Sequence, residues 1–254
     1  MIIGDSGTGK SRSILNLNPK ETFIVNVLNK PLPFKGSIEK YSTENKNTVS
    51  TTSYKEVLSI LKGIDTTAPR IKNLVIDDAE FIMTTELFNR ANENGYDRFT
   101  EIGLHMQQIL SYSKNVRDDL NLAFLFHEDD VFSNKIKISK KVKTIGMMLE
   151  DKYNPISVVS VALFTAVSFS DKQVTPTYNF VTNRVMIEGI VIPAKSPEGM
   201  FDDLYIPNDL DFVFRKIREY YHSGLTGLKQ ETVLVNSDAT NATNNLAKKR
   251  ATIV

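Results

Sequence analysis

The opening residues MIIGDSGTGKS place Gly4, Asp5, Ser6, Gly7, Thr8, Gly9, Lys10 and Ser11 in the order G-x-x-x-x-G-K-[ST], with every fixed position filled. Glycines at these positions let the backbone wrap closely around phosphate oxygens. A helix starting near Gly9 would aim its free N–H groups and the positive end of its dipole at them. Lys10 can then reach the β- and γ-phosphates and the Ser11 hydroxyl can ligate Mg²⁺, with Arg12 adjoining both. Such a site needs a carboxylate at the C-terminal end of a buried strand, and NLVIDDAEF supplies one: Leu74, Val75 and Ile76 run into Asp77 and Asp78. Asp77 is placed to hold the metal, and Asp78 to orient or deprotonate the attacking water. Successive strand side chains point to opposite faces, so Asp78 serves as base only if the chain turns there; Glu80 is the reserve.

Guanine-specific sites carry an Asn-Lys-x-Asp element. The nearest match, Asn29-Lys30-Pro31-Leu32, lacks the aspartate, so ATP is the expected nucleotide. His105 falls inside an apolar-periodic helix and reads as structural, whereas His222 closes a helix, where its charge suits the dipole.

These groups must be positioned by buried strands. Near-continuous apolar runs at Phe23–Leu28, Ile71–Ile76, Leu122–Phe126 and Val158–Phe164 suit strands covered on both faces, hence a parallel sheet. Helical stretches are expected at Lys10–Leu17, Tyr54–Gly63, Thr84–Asn94 and Phe99–Asn115, the last with apolar residues at helical spacing. Their alternation indicates an α/β, doubly wound fold. After Val158 the pattern changes: Val158–Phe169, Thr177–Thr182 and Val185–Ile192, linked by DKQVTP and TNR, read as an antiparallel extension. Pro207-Asn208-Asp209 then starts a helix over Leu210–Tyr221. Residues 1–222 are read as one nucleotide-binding domain and 223–254 as a flexible polar tail ending near the basic cluster Lys248–Arg250. Glu44–Ser53 reads as a surface loop, and the basic Ser133–Lys143 as an edge strand or a mobile loop. The first strand is abnormal. Met1-Ile2-Ile3 can form only the last rungs of a strand that normally runs about five or six residues. Either neighbouring strands hold this stub, or the natural reading frame starts upstream.

Composition narrows the functions. The 254 residues suffice for a large core, and a net charge of +1 argues against coating nucleic acid by bulk charge. The absence of cysteine excludes disulfides, thiol catalysis and thiolate metal sites. No run approaches the ~18 apolar residues of a membrane span and no secretory leader precedes the loop, so a soluble cytoplasmic protein is expected.

GDSGTGKS, NPKETFIVNVLNKPLPF, IKNLVIDDAEF, GYDRFTEIG, LNLAFLFHEDD, VKTIGMMLEDK and the AKSPEGMF to IPNDL stretch together resemble the phage-borne P-loop ATPases of the RecA-like/AAA class, including short RecA-like single-strand-annealing ATPases. The resemblance covers most of Gly4–Leu210. It implies a RecA-like core in a bacterial host's cytoplasm, with ATP and Mg²⁺ held between subunits of a homo-oligomer or beside a mobile loop. It implies that His127, at a strand end, contacts the γ-phosphate or the attacking water. A basic finger from the next subunit is also implied, with Lys195 the candidate and Arg184 and Arg70 weaker ones. Recombination, single-strand annealing or replication would be the process, phage replication or recombination proteins the further partners, and single-stranded DNA the ligand. The DNA would be met by Lys135, Lys137, Lys140, Lys141 and Lys143. The alternative is a nucleotide-dependent scaffold or helicase-loader-like protein that hydrolyses slowly. A small-molecule kinase is a third class. One departure is chemical: Asp78 stands where many ATPases of this class carry glutamate, one methylene longer.

Overall fold

In a computed structural model, residues 1–146, 149, 153–169 and 176–222 are described. Residues 170–175, which hold most of the DKQVTP link, and the 223–254 segment expected as a tail lie outside the described residues. The chain divides into two units, Met1–Phe212 and Val213–Val254, and the described residues of the second, 213–222, are helical.

The short first strand, β1 (Ile2–Gly4), is wedged between two longer ones. Ile2, Ile3 and Gly4 pair in parallel with Leu125, Phe126 and His127 of β5 (Asn121–Ser133), and Ile2 and Ile3 with Leu163 and Phe164 of β7 (Leu163–Ser168). Neighbours therefore hold the stub, and all three of its residues are buried. On the far side of β5 lie β4 (Asn73–Asp77), β2 (Thr22–Asn26) and the two-residue β3 (Thr48–Val49), all parallel. On the near side β7 is followed by antiparallel β8 (Thr177–Val181) and β11 (Tyr205–Pro207). The order across the sheet is β11-β8-β7-β1-β5-β4-β2-β3. This is the expected α/β architecture: a mostly parallel sheet with an antiparallel extension.

Helices cover it. The longer ones are α2 (Tyr54–Thr67), α3 (Glu80–Asn89) and α4 (Asp97–Tyr112), with a single turn, α1 (Ser37–Lys40), after β2. Ser53 caps α2 by accepting the Glu56 N–H, as serine does at an N-cap. Val57, Leu61 and Ile64 of α2 and Ile102, Met106, Ile109 and Leu110 of α4 face the sheet residues Leu74, Ile76, Phe124 and Phe126 in one core. No helix of the described residues is long and apolar enough to cross a membrane.

Several expected elements differ. The helix over Lys10–Leu17 is only a 3₁₀ turn, Ser11–Ile14, its tighter winding carried by bonds from the Leu15 N–H to the Arg12 carbonyl at 3.1 Å and from the Leu17 N–H to the Ile14 carbonyl at 3.0 Å. The strand expected at Val158–Phe164 begins only at Leu163. Pro155 instead opens a 3₁₀ turn, Pro155–Val158, capped by Asn154, whose side chain accepts the Ile156 N–H at 3.2 Å. Val185–Ile192 is not one strand but a hairpin of β9 (Val185–Ile187) and β10 (Ile190–Ile192), turning at Glu188 and Gly189, both at positive φ. That hairpin joins β6 (Ile136–Val142), so the basic stretch is a strand paired on both sides, with β5 and with β10. The loop expected at Glu44–Ser53 contains β3 and a buried Asn47. Residues 210–222 are helical as expected, the Asp209 carboxylate accepting the Asp211 N–H at 2.9 Å.

Candidate functional site

The loop leaves β1 at the C-terminal edge of the sheet and is fixed by its own short side chains. Thr8 Oγ1 donates to the Asp5 carbonyl at 2.7 Å and accepts from Thr165 Oγ1 of β7 at 2.6 Å, while Asp5 Oδ1 accepts the Ser6 N–H at 2.6 Å. Gly7 (φ 75°) and Gly9 (φ 101°) are in backbone conformations that L side chains rarely adopt. Lys10 is only 5% exposed; its Nζ donates to the carbonyls of Gly4 at 3.0 Å and Asp5 at 2.9 Å. Burial lowers its pKa, against the opposing pull of Glu80, Asp78, Asp77 and Asp5. A lysine held back on its own loop, in a partly desolvated setting beside carboxylates, is ready to exchange carbonyl partners for phosphate oxygens.

The carboxylates arrive from β4, with β5 between it and the loop strand. Ser11 Oγ donates to Asp77 Oδ1 at 2.8 Å, joining the loop to the strand end. Asp77 is buried, and desolvation, with the neighbouring Asp78 charge, pushes its pKa up to about 7, although Ser11, Lys30 and Lys10 pull the other way. Strand β4 stops at Asp77, and Asp78 takes a left-handed conformation, φ 57°, which is the turn its candidate role requires. It forms a 2.6 Å ion pair with Lys30 and lies 3.9 Å from Nδ1 of His127. Glu80, the first residue of α3, is buried and bonds His127 through the ring Nδ1 and, at 3.3 Å, through the main-chain N–H. Asp78, Glu80 and His127 each offer a ligand atom within 4.8 Å of the other two, close enough to share a cation.

A cavity of about 360 Å³ unites these groups: Lys10, Ser11, Asp77, Asp78 and His127 all line it. Glu80 is not on its wall and reaches it only through His127. Four wall residues were not anticipated from sequence: Lys30, Pro31, Pro33 and Tyr178. Lys30 and the prolines follow β2, whose Asn26 pairs in register with Asp77, a neighbourhood that only the sheet order reveals. Tyr178 comes from β8, where the Arg12 guanidinium lies over its ring at 4.9 Å.

The other basic candidates lie elsewhere. Lys195 pairs through its main chain with Ala162, at 2.8 and 2.9 Å, just ahead of β7, and its Nζ donates to the Ser157 carbonyl at 3.5 Å. That is the N-terminal edge of the parallel strands, opposite the loop, so Lys195 does not serve the cavity of its own chain. Arg70 donates to the Lys20 carbonyl. In the basic strand, Lys137 is paired with Asp130 at 2.6 Å and Lys140 with Glu128.

No protein-family model matches the chain, and no curated protein does. Among solved structures it is similar to the KaiC-like protein PH0186 from the hyperthermophilic archaeon Pyrococcus horikoshii OT3. The identity is 10% and the TM-score 0.43, over 75% of this chain and 86% of that one.

Proposed function

We propose that the protein binds ATP with Mg²⁺ and hydrolyses it to ADP and phosphate. The observation that carries this is the 2.8 Å hydrogen bond from Ser11 to Asp77, which brings the last residue of the phosphate-loop motif onto the carboxylate at the end of β4. These two oxygens, backed by a concentration of buried negative charge, are a donor set that suits a hard divalent cation. When bound there, Mg²⁺ neutralises phosphate charge and orients the terminal phosphate.

The chain's own groups then divide the work. The loop N–H groups and Lys10 hold the β- and γ-phosphates. Asp78, turned into the cavity, accepts a proton from water as the water oxygen bonds to the γ-phosphorus. The bond to the β,γ-bridging oxygen breaks, its electron pair leaving on ADP, and the proton passes to solvent. His127, oriented by Glu80, donates from its ring to a γ-phosphate oxygen or to the water. The expected result is that Lys10→Ala loses turnover, by ~100-fold or more, with its melting temperature little changed, because a desolvated ammonium is removed along with its bonds. Undiminished hydrolysis by purified Lys10→Ala would sink the assignment.

Single-stranded DNA is the proposed effector, in recombination, annealing or replication. The support is the turn of the β5–β6 hairpin, where Phe132 and Ile136 are exposed beside Lys135; an aromatic face next to a cation suits unpaired bases and phosphates. Hydrolysis measured with and without a single-stranded oligonucleotide tests it. Stimulation that disappears in Phe132→Ala/Lys135→Ala supports the reading. Indifference to DNA favours the slow nucleotide-dependent scaffold.

A further inference from the structure

The site contains a cation that the phosphate-loop motif does not announce. Lys30 lies on the loop after β2, and its root is clamped twice by one side chain. Asn26 Nδ2 donates to the Lys30 carbonyl at 2.6 Å, and the Lys30 N–H donates to Asn26 Oδ1 at 3.2 Å. Asn29, at φ 53°, and Pro31 fix the backbone on either side. The tip has far more freedom: the side chain is 57% exposed, whereas that of its partner Asp78 is 5% exposed. A lysine with a fixed root and a solvated stem of four rotatable bonds can exchange one anionic partner for another.

Position along the sheet edge decides which partner that is. From one side to the other the cavity wall runs from Tyr178 of β8 through the loop after β1, then His127 of β5 and Asp77 and Asp78 of β4, to Lys30 beyond β2. Asp77 marks the metal and Asp78 the attacking water, so the terminal phosphate lies toward the β4 side, where Lys30 Nζ already stands 2.6 Å from Asp78. Resting on the ATPase reading above, we infer that Lys30 is the in-chain cation for the γ-phosphate. ATP draws its ammonium from Asp78 onto a γ-phosphate oxygen, which supplies charge to the transferring group and at the same time frees Asp78 to accept the water proton. Charge spread over the equatorial oxygens in the loose transition state is what a positioned ammonium there would offset. Lys195, on the opposite edge of its own sheet, would not be needed for this within one chain.

The role predicts a contact made with ATP and not with ADP. The test compares the affinities of a non-hydrolysable ATP analogue and of ADP, each with Mg²⁺, for the wild-type chain, Lys30→Ala, Lys30→Arg and Lys30→Ala/Asp78→Asn. The double variant guards against misfolding, because it leaves no unpaired buried carboxylate at residue 78. In Lys30→Ala and in the double variant, analogue affinity should fall ~10-fold or more while ADP affinity stays within about twofold, and Lys30→Arg should recover part of the loss. Equal losses for both nucleotides, or no loss for either, would overturn the inference while leaving nucleotide binding intact. A wild-type chain that binds neither nucleotide would overturn the ATPase reading and this inference together.

Discussion

Glu80 holds His127 at two points, its carboxylate accepting the main-chain N–H at 3.3 Å and bonding the ring Nδ1. One acidic side chain thereby fixes both the imidazole and the backbone midway along β5, which runs on past His127 to Ser133 instead of ending there as expected, and leaves Nε2 as the ring atom free to act in the cavity. Glu80→Gln should reduce kcat ~10-fold or more, and His127→Ala ~100-fold, with KM for ATP nearly unchanged in both. Because Glu80 acts through His127, the double variant should be no worse than His127→Ala alone. Steady-state kinetics of the three proteins check this; costs that add would show that Glu80 works on its own.

Asp77 carries a stability penalty in the folded chain. Its carboxyl, pushed up to about 7 by burial beside Asp78, holds its proton more tightly in the folded chain than in the unfolded one. The cost of ionising it is therefore absent below about pH 4, grows through the interval up to the folded pKa, and is full above it. Asp77→Asn, which can still accept from Ser11, should raise the melting temperature of the nucleotide-free protein above about pH 8 and make little difference near pH 4. The same variant should lose Mg²⁺-dependent hydrolysis. Melting curves at the two pH values check the sign; destabilisation at high pH would contradict it.

The loop glycines should separate by mechanism. A Cβ on Gly4 would lie 1.7 Å from Thr165 Oγ1 and 2.9 Å from Thr165 Cβ, leaving no space without moving β7. Gly4→Ala should therefore lower the melting temperature sharply. At Gly7 nothing lies within 4 Å, and the obstacle is the backbone, φ 75°. Gly7→Ala should cost only about 1 kcal/mol of stability while weakening nucleotide binding. Thermal melts and nucleotide titration of the pair distinguish the two cases, and equal losses of stability would refute the distinction.

The parts of the site that were legible in the sequence are those written in consecutive residues. Gly4 to Ser11 and the run into Asp77 follow from local pattern, and their meeting through Ser11 follows from the topology that the alternating strands and helices imply. What escaped depends on which strand lies beside which. Lys30 lines the cavity because β2 abuts β4, and Tyr178 because β8 turns back beside β7. Glu80 read as a reserve base because sequence places it near Asp78, whereas the first turn of α3 carries it behind His127. The helix expected after Lys10 rests on the helical spacing of Ile14 and Leu17, but a 3₁₀ turn over Ser11–Ile14 also buries Ile14.

The left-handed turn at residue 78 has a consequence for heredity. At φ 57° the backbone admits aspartate and asparagine far more readily than most residues, since their short polar side chains tolerate this region, and it penalises β-branched ones. A glutamate takes the region at a higher cost, as Glu188 does at φ 50° in the β9–β10 turn. The torsion thus acts as a filter that operates before any selection for proton transfer. It offers a reason why aspartate, and not the longer acid, stands at residue 78. Lengthening the acid at residue 78 would add a backbone cost of about 1 kcal/mol to whatever the extra methylene gained in reach.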